Sequence, residues 1–382
     1  IRPGTVLFCG LALFSMFFGA GNLIFPPFLG AQAGVHTWPA MAGFALSAVG
    51  LPILGVVAVA KSGGLDALAG RVGRRFAFVF TLLVYLSIGP GLAIPRTAST
   101  SFEMAVTPFF PSAPGWVLPV YALAFFAAAM ALALRPDKLT DRLGKITGPC
   151  LLALILCIVV GCFVHPPGGY GPALGAYQSG AAARGFVDGY QTMDTIAALN
   201  FGIVIALNLK ARGVPEGRPV VRCTVRAGYL AGGVLLLVYA LLAHVGAVSG
   251  GAFPGAENGA EVLSRAVSFL YGPVGSVLLG LIFVIACLNT CIGLFSSCSQ
   301  YFATVFPRLS YRAWVLVFGV VSYAVSIFGL NAILAVSVPV LNALYPVAIV
   351  LIVLGITLVG ESLNDLADPR LRARKSAVEV VG

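Results

Sequence analysis

Apolar residues run through this chain in long blocks. Stretches of 18 or more nearly uncharged residues recur from one end to the other, the length a helix needs to cross about 30 Å of hydrocarbon. Hydropathy predicts ten crossings: residues 5–29, 38–60, 76–95, 116–134, 147–164, 186–209, 227–247, 274–303, 313–330 and 334–359. A β-barrel would instead need segments of about ten residues that alternate apolar and polar, and the sequence has none. The pattern predicts an all-α polytopic membrane protein.

Composition agrees with the pattern. Of 382 residues, 59% are hydrophobic and 9% charged, against roughly 25% charged in a soluble domain. So little charge does not cover a water-facing surface, which excludes a cytosolic enzyme. The formal charge is +10, and its distribution matters more than its size. With Arg2 inside, 20 basic residues fall in inner segments and only Arg96, Arg184 and Arg265 fall outside. Anionic lipid and the membrane potential hold cations on the cytoplasmic side, so both termini are expected there. Bases scattered over separate inner segments do not make a nucleic-acid surface. Trp38, Trp116 and Trp314 fall at expected span ends, at the depth amphipathic rings prefer. The first span continues past Gly19 to Asn22 without a small-residue cleavage site, and reads as a span and not a signal peptide.

The eight cysteines lie within or beside apolar spans, so no disulfide framework or zinc site is expected. Cys287, Cys291 and Cys298 share a helical face, as packing residues at a close helix contact do. The three histidines lie near outer span ends.

Candidate chemistry sits where the apolar pattern is interrupted. Span one carries Phe17-Phe18-Gly19-Ala20-Gly21-Asn22-Leu23-Ile24-Phe25-Pro26-Pro27. Each Gly costs a helix about 1 kcal/mol and each Pro about 3, so the helix is expected to open here, or to kink for packing. Span six opens on Asp188-Gly189-Tyr190-Gln191-Thr192-Met193-Asp194-Thr195, a second interruption five spans later. Five is odd, so residues 1–165 and 166–360 would be inverted repeats, with 361–382 a cytoplasmic tail. Interruptions at corresponding places in inverted halves point to a transporter's midplane site. There, helix N-termini near Gly21 and Asn22 suit a carboxylate, and carbonyls around Gln191 to Met193 suit an ammonium. Asp194 is an acidic residue assigned to a span, a functional candidate by default; capping the following helix and coupling or binding are both open to it. Thr290, beside Asn289, either bonds back to its own helix or offers oxygen to a small cation. Tyr190, Met193 and Phe201 are expected pocket walls.

With GAGNLIFPP in span one, IPRTAST at 94–100, GYQTMDT at 189–195, SYRAWVL from 310 and SVPVLNALYP ending at 346, the chain resembles the bacterial branched-chain amino acid:cation symporters over nearly its whole length. The resemblance implies the ten-helix 5+5 inverted-repeat fold of the leucine-transporter type in the bacterial inner membrane. It also implies uptake of leucine, isoleucine and valine driven by Na⁺ or, in some members, H⁺, with no other cofactor. Carried over, the carboxylate loop falls on Gly19, Gly21 and Asn22, and a sodium site on Ser15, Phe18, Ala286, Asn289 and Thr290. Asn289 stands where a hydroxyl is usual. The charged tail, Glu361 to Gly382, stands where the family usually continues for two more helices. An uncoupled facilitator or channel is the rival reading. Beyond substrate and lipid, the pattern specifies no partner or oligomer.

Overall fold

The computed structural model describes residues 3–110, 112–135, 143–211, 213–215 and 217–367. Arg2, Lys138, Arg142, Arg212 and the tail from 368 lie outside the described residues. Every element among the described residues is helical. In chain order they are α1 (Pro3–Phe17), α2 (Ala20–Ala33), α3 (Thr37–Ala45), α4 (Leu51–Ser62), α5 (Leu65–Gly70), α6 (Arg74–Leu86) and α7 (Ala93–Ala105). After these come α8 (Val117–Ala133), α9 (Gly148–Val164), α10 (Tyr177–Gly189), α11 (Asp194–Ala211), α12 (Arg218–Ala252), α13 (Gly259–Val305), α14 (Tyr311–Ser326) and α15 (Leu330–Ala367).

Among the described residues, six helical stretches are long and apolar enough to cross a membrane: Ala20–Ser62, Arg74–Ala105, Lys145–Val164, Arg218–Ala252, Gly259–Val305 and Pro339–Thr357. Large apolar side chains such as Leu156, Val160, Phe163, Val320 and Val350 point outward, as the surface of a multi-pass membrane protein does in lipid.

Two expected boundaries need correction. Span three does not end at 95. A π turn at Ser87–Gly91 absorbs Pro90, and the helix resumes as α7 through Ala105. Arg96 therefore lies inside a helix, 8% exposed, and not in an outer loop; Glu103 joins Asp194 as an acidic residue within an apolar stretch. α15 continues to Ala367, while its apolar stretch, Pro339–Thr357, lies within the expected 334–359. α13 also begins earlier than expected and bends at Gly272, whose φ of 58° precedes Pro273.

Two glycine crossings hold the elements around the site. A Cβ on Gly43 would strike the Ala182 carbonyl, and one on Gly185 the Ala40 carbonyl, so α3 and α10 meet backbone to backbone. α2 and α12 do the same through Gly30 against Ala243 and Gly246 against Pro27. Without a hydrophobic drive between helices in lipid, small residues that permit such approach supply the packing. Gly185→Val is therefore expected to separate α3 from α10 at a cost of about 1–3 kcal/mol, measured as a lower melting temperature in detergent.

Candidate functional site

The site is built where α1 gives way to α2 and α10 gives way to α11. α1 stops at Phe17, and Phe18 and Gly19 are not helical. The Asn22 side chain sets the shape of this gap: its Oδ1 accepts the Gly19 amide at 3.0 Å. Gly21 belongs to the first turn of α2, whose amides have no acceptor within the helix. Pro26 and Pro27 lie further along α2 without ending it.

On the other side, α10 ends in one tight turn, Tyr190–Thr192, and Met193 takes φ 67°. It is the only non-glycine residue with positive φ among the described residues, a conformation that costs of order 1–3 kcal/mol and persists where the surroundings enforce it. Here Thr192 donates its hydroxyl to the Gly189 carbonyl at 2.9 Å and the Met193 amide donates to the Tyr190 carbonyl at 3.1 Å.

Asp194 joins the two gaps. Its Oδ2 accepts Asn22 Nδ2 at 2.6 Å and the Tyr239 hydroxyl at 2.7 Å, and Asn22 also donates to Tyr239. All three side chains are buried. Of the two roles open to Asp194, these contacts favour one outside its own helix, because both bonds go to side chains of α2 and α12. The Ala197 amide is taken by the Met193 carbonyl instead.

A small cavity of about 30 Å³ lies between these elements, room for a water or two. Gly19, Gly21, Asn22, Thr192, Met193, Asp194, Phe201 and Thr290 all line it. The rest of the lining is largely aliphatic and aromatic, with Met16, Phe17, Ile88, Ala197 and Leu294 beside Phe201. One expected wall residue stands elsewhere, Tyr190, which stacks on Tyr345 with ring centroids 4.6 Å apart; the Gln191 carbonyl lies next to Gly21. Sequence reading missed Arg96, which lines the cavity from α7, and Tyr239, a single hydroxyl in a leucine-rich run.

Of the expected cation ligands, Ser15 and Phe18 lie at the end of α1, and Ala286, Asn289 and Thr290 lie on α13. Ser15 is fully buried, and Ser15 and Phe18 share a face of that end at i, i+3. Ala286, Asn289 and Thr290 likewise share a face of α13. Gly19 faces Thr290 so closely that a Cβ there would lie 2.7 Å from Thr290 Oγ1. Thr290 Oγ1 and the Asn289 amide are buried without a hydrogen-bond partner among the described residues, so Thr290 does not bond back to its own helix. Buried oxygens in that condition are costly and suit a small hard cation.

A family model described as "Branched-chain amino acid transport protein" matches residues 3–365. The chain belongs to that family. Membership sets it among transport proteins and not enzymes. The branched-chain amino acid permease BraB of Bacillus subtilis is 42% identical over 348 residues, 91% of this chain and 78% of the relative. The branched-chain amino acid transport system 2 carrier protein of Pseudomonas aeruginosa is 44% identical over 357 residues, 93% and 81%. Among solved structures, the nucleobase-cation-symport-1 family transporter Mhp1, in a closed conformation with bromovinylhydantoin bound, matches with TM-score 0.61 at 16% identity, covering 90% of this chain and 77% of that one. MhsT in complex with L-phenylalanine matches with TM-score 0.59 at 14% identity, covering 91% and 87%. Both are transporters of the leucine-transporter fold, and the likeness extends that fold to this chain.

Proposed function

We propose that this protein is a secondary active transporter that carries leucine, isoleucine and valine across the bacterial plasma membrane by symport with Na⁺ or, failing that, H⁺. In this reading the chain makes ten crossings, with residues 1–165 and 166–360 as inverted halves and the substrate between their interrupted helices. The observation that carries it is the mixed lining of one small cavity, where Asn22, Asp194 and Arg96 meet Phe17, Ala197 and Phe201. A zwitterion with an aliphatic tail needs both kinds of wall. The family's description and the names of the permease relatives support the substrate class.

The cavity is smaller than any of these amino acids, so substrate enters only when the helices around it move apart. The gaps at Phe18–Gly19 and Tyr190–Met193 lie where such a motion would hinge. Coupling supplies the drive: one charge moving through 100 mV releases about 2.3 kcal/mol, which holds roughly a fifty-fold gradient. One methylene changes binding by only about 1–3 kcal/mol in an apolar pocket, so leucine, isoleucine and valine compete for the same site. The cation is assigned to Ser15, Phe18, Ala286, Asn289 and Thr290.

The test is uptake of labelled leucine into proteoliposomes, with a Na⁺ or a pH gradient imposed separately. Accumulation driven by either ion supports symport; equilibration that ignores both makes the protein a facilitator. Within the same assay, Thr290→Ala is expected to raise the half-saturating Na⁺ concentration on the order of tenfold while leaving leucine affinity at saturating Na⁺ within about twofold. An unchanged Na⁺ dependence would remove Thr290 from the cation site.

A further inference from the structure

Arg96 is the buried charge that the reading above does not yet use. It projects from α7 and is 8% exposed, and its guanidinium makes no hydrogen bond or ion pair with another described residue. Its charge is opposed by the Asp194 carboxylate, which Asn22 and Tyr239 already hold by direct bonds. A largely buried guanidinium without a direct partner is costly. Such a group persists at a place where an anion comes and goes.

The geometry around Gly21 says where that anion sits. A Cβ at Gly21 would lie 3.2 Å from Arg96 Nη2, 3.3 Å from Thr192 Cα and 3.4 Å from the Gln191 carbonyl oxygen. A guanidinium, the N-terminal turn of α2 and the gap before α11 converge here, so closely that an added carbon needs them to give by a few tenths of an ångström. Arg96 also lines a second cavity of about 380 Å³, which reaches Phe28, Glu103 and Asn258 and shares Ala20, Gly21 and Arg96 with the small one. It stands on the partition between the two.

We propose that Arg96 receives the α-carboxylate of the transported amino acid, together with the Gly21 amide, while Asp194 and the Gln191 carbonyl face the ammonium. This rests on the amino-acid transport reading and adds to it the group that recognises the carboxylate. Arginine fits the task because its planar fork offers a carboxylate two parallel N–H bonds. In the empty site Asp194 balances the guanidinium. In the loaded site the zwitterion lies between them and meets each charge with its opposite.

Equilibrium binding to the purified full chain tests this, using labelled leucine competed by leucinamide, which keeps the amine and the isobutyl group but lacks the carboxylate. The wild type is expected to favour leucine over leucinamide by on the order of 10- to 100-fold. Arg96→Gln is expected to lose that preference, by weakening leucine and leaving leucinamide nearly unchanged. Arg96→Lys, which keeps the charge, is expected to fall between, and it gives the same ratio if Arg96→Gln does not fold. A merely structural Arg96 would weaken both ligands in equal proportion, and that result, or unchanged leucine affinity in Arg96→Gln, overturns the assignment. A wild type that binds no leucine overturns the transport reading and the Arg96 assignment together.

Discussion

Gly21→Leu is expected to lower leucine affinity by about 100-fold or more in a protein that still folds. The three nearest neighbours of a Cβ at this position belong to the site: Arg96 Nη2, Thr192 Cα and the Gln191 carbonyl, all within 3.4 Å. A leucine side chain has room to grow only into the small cavity or its 380 Å³ neighbour, and either course fills the spot between the α2 amides and Arg96. Gly21→Ala is a graded control. Its methyl needs the neighbours to give by a few tenths of an ångström, so an affinity loss of roughly three- to tenfold is expected. Equilibrium binding on detergent-purified variants, beside a thermal melt, separates lost binding from lost fold. Unchanged leucine affinity in Gly21→Leu would mean that the carboxylate lies elsewhere.

Asp194→Asn is expected to reduce the initial rate of leucine uptake by at least about 100-fold. The carboxylate does more than offer charge. Its Oδ2 holds Asn22 Nδ2 and the Tyr239 hydroxyl, and the other end of Asn22 holds the Gly19 amide. Exchanging that oxygen for an amide therefore disturbs the ammonium's counter-charge and the shape of the α1–α2 gap together. It also removes the carboxylate that opposes Arg96 across the small cavity. Tyr239→Phe removes one hydrogen bond from the same set and keeps the charge, so a loss of only about 3- to 13-fold is expected. Uptake rates at matched amounts of reconstituted protein give the comparison. Equal losses in the two variants would reduce Asp194 to one bond among several.

What the sequence could and could not convey follows from the same residues. Long apolar runs reveal membrane helices because lipid leaves the backbone few other ways to satisfy its hydrogen bonds. α8, α9 and α14 accordingly lie within a few residues of their expected spans. α7 was truncated because hydropathy averages over faces. Its Arg96, Thr97, Ser99, Thr100 and Ser101 are all buried against neighbouring helices, and a one-dimensional profile reads such polar residues as the start of a loop. A charge within the IPRTAST motif, one residue after a proline that begins no loop, was the available sign. Tyr239 carried none, since its partners are 45 and 217 residues away in sequence. The turn at Met193 was legible as an interruption from Gly189 and the polar run after it. That a methionine and not the glycine would take the left-handed conformation depends on tertiary contacts that local propensity does not contain.

The account centres on one location for the substrate, and a structure of the full chain determined with leucine and Na⁺ tests it most directly. The prediction is leucine density between the first turn of α2 and the Tyr190–Met193 turn, its carboxylate within hydrogen-bond reach of the Gly21 amide and Arg96, its side chain against Phe17 and Phe201, and the small cavity opened to hold it. Leucine bound only in the larger cavity beside Phe28 and Asn258, with the small cavity still closed around Asp194 in every state captured, would contradict it.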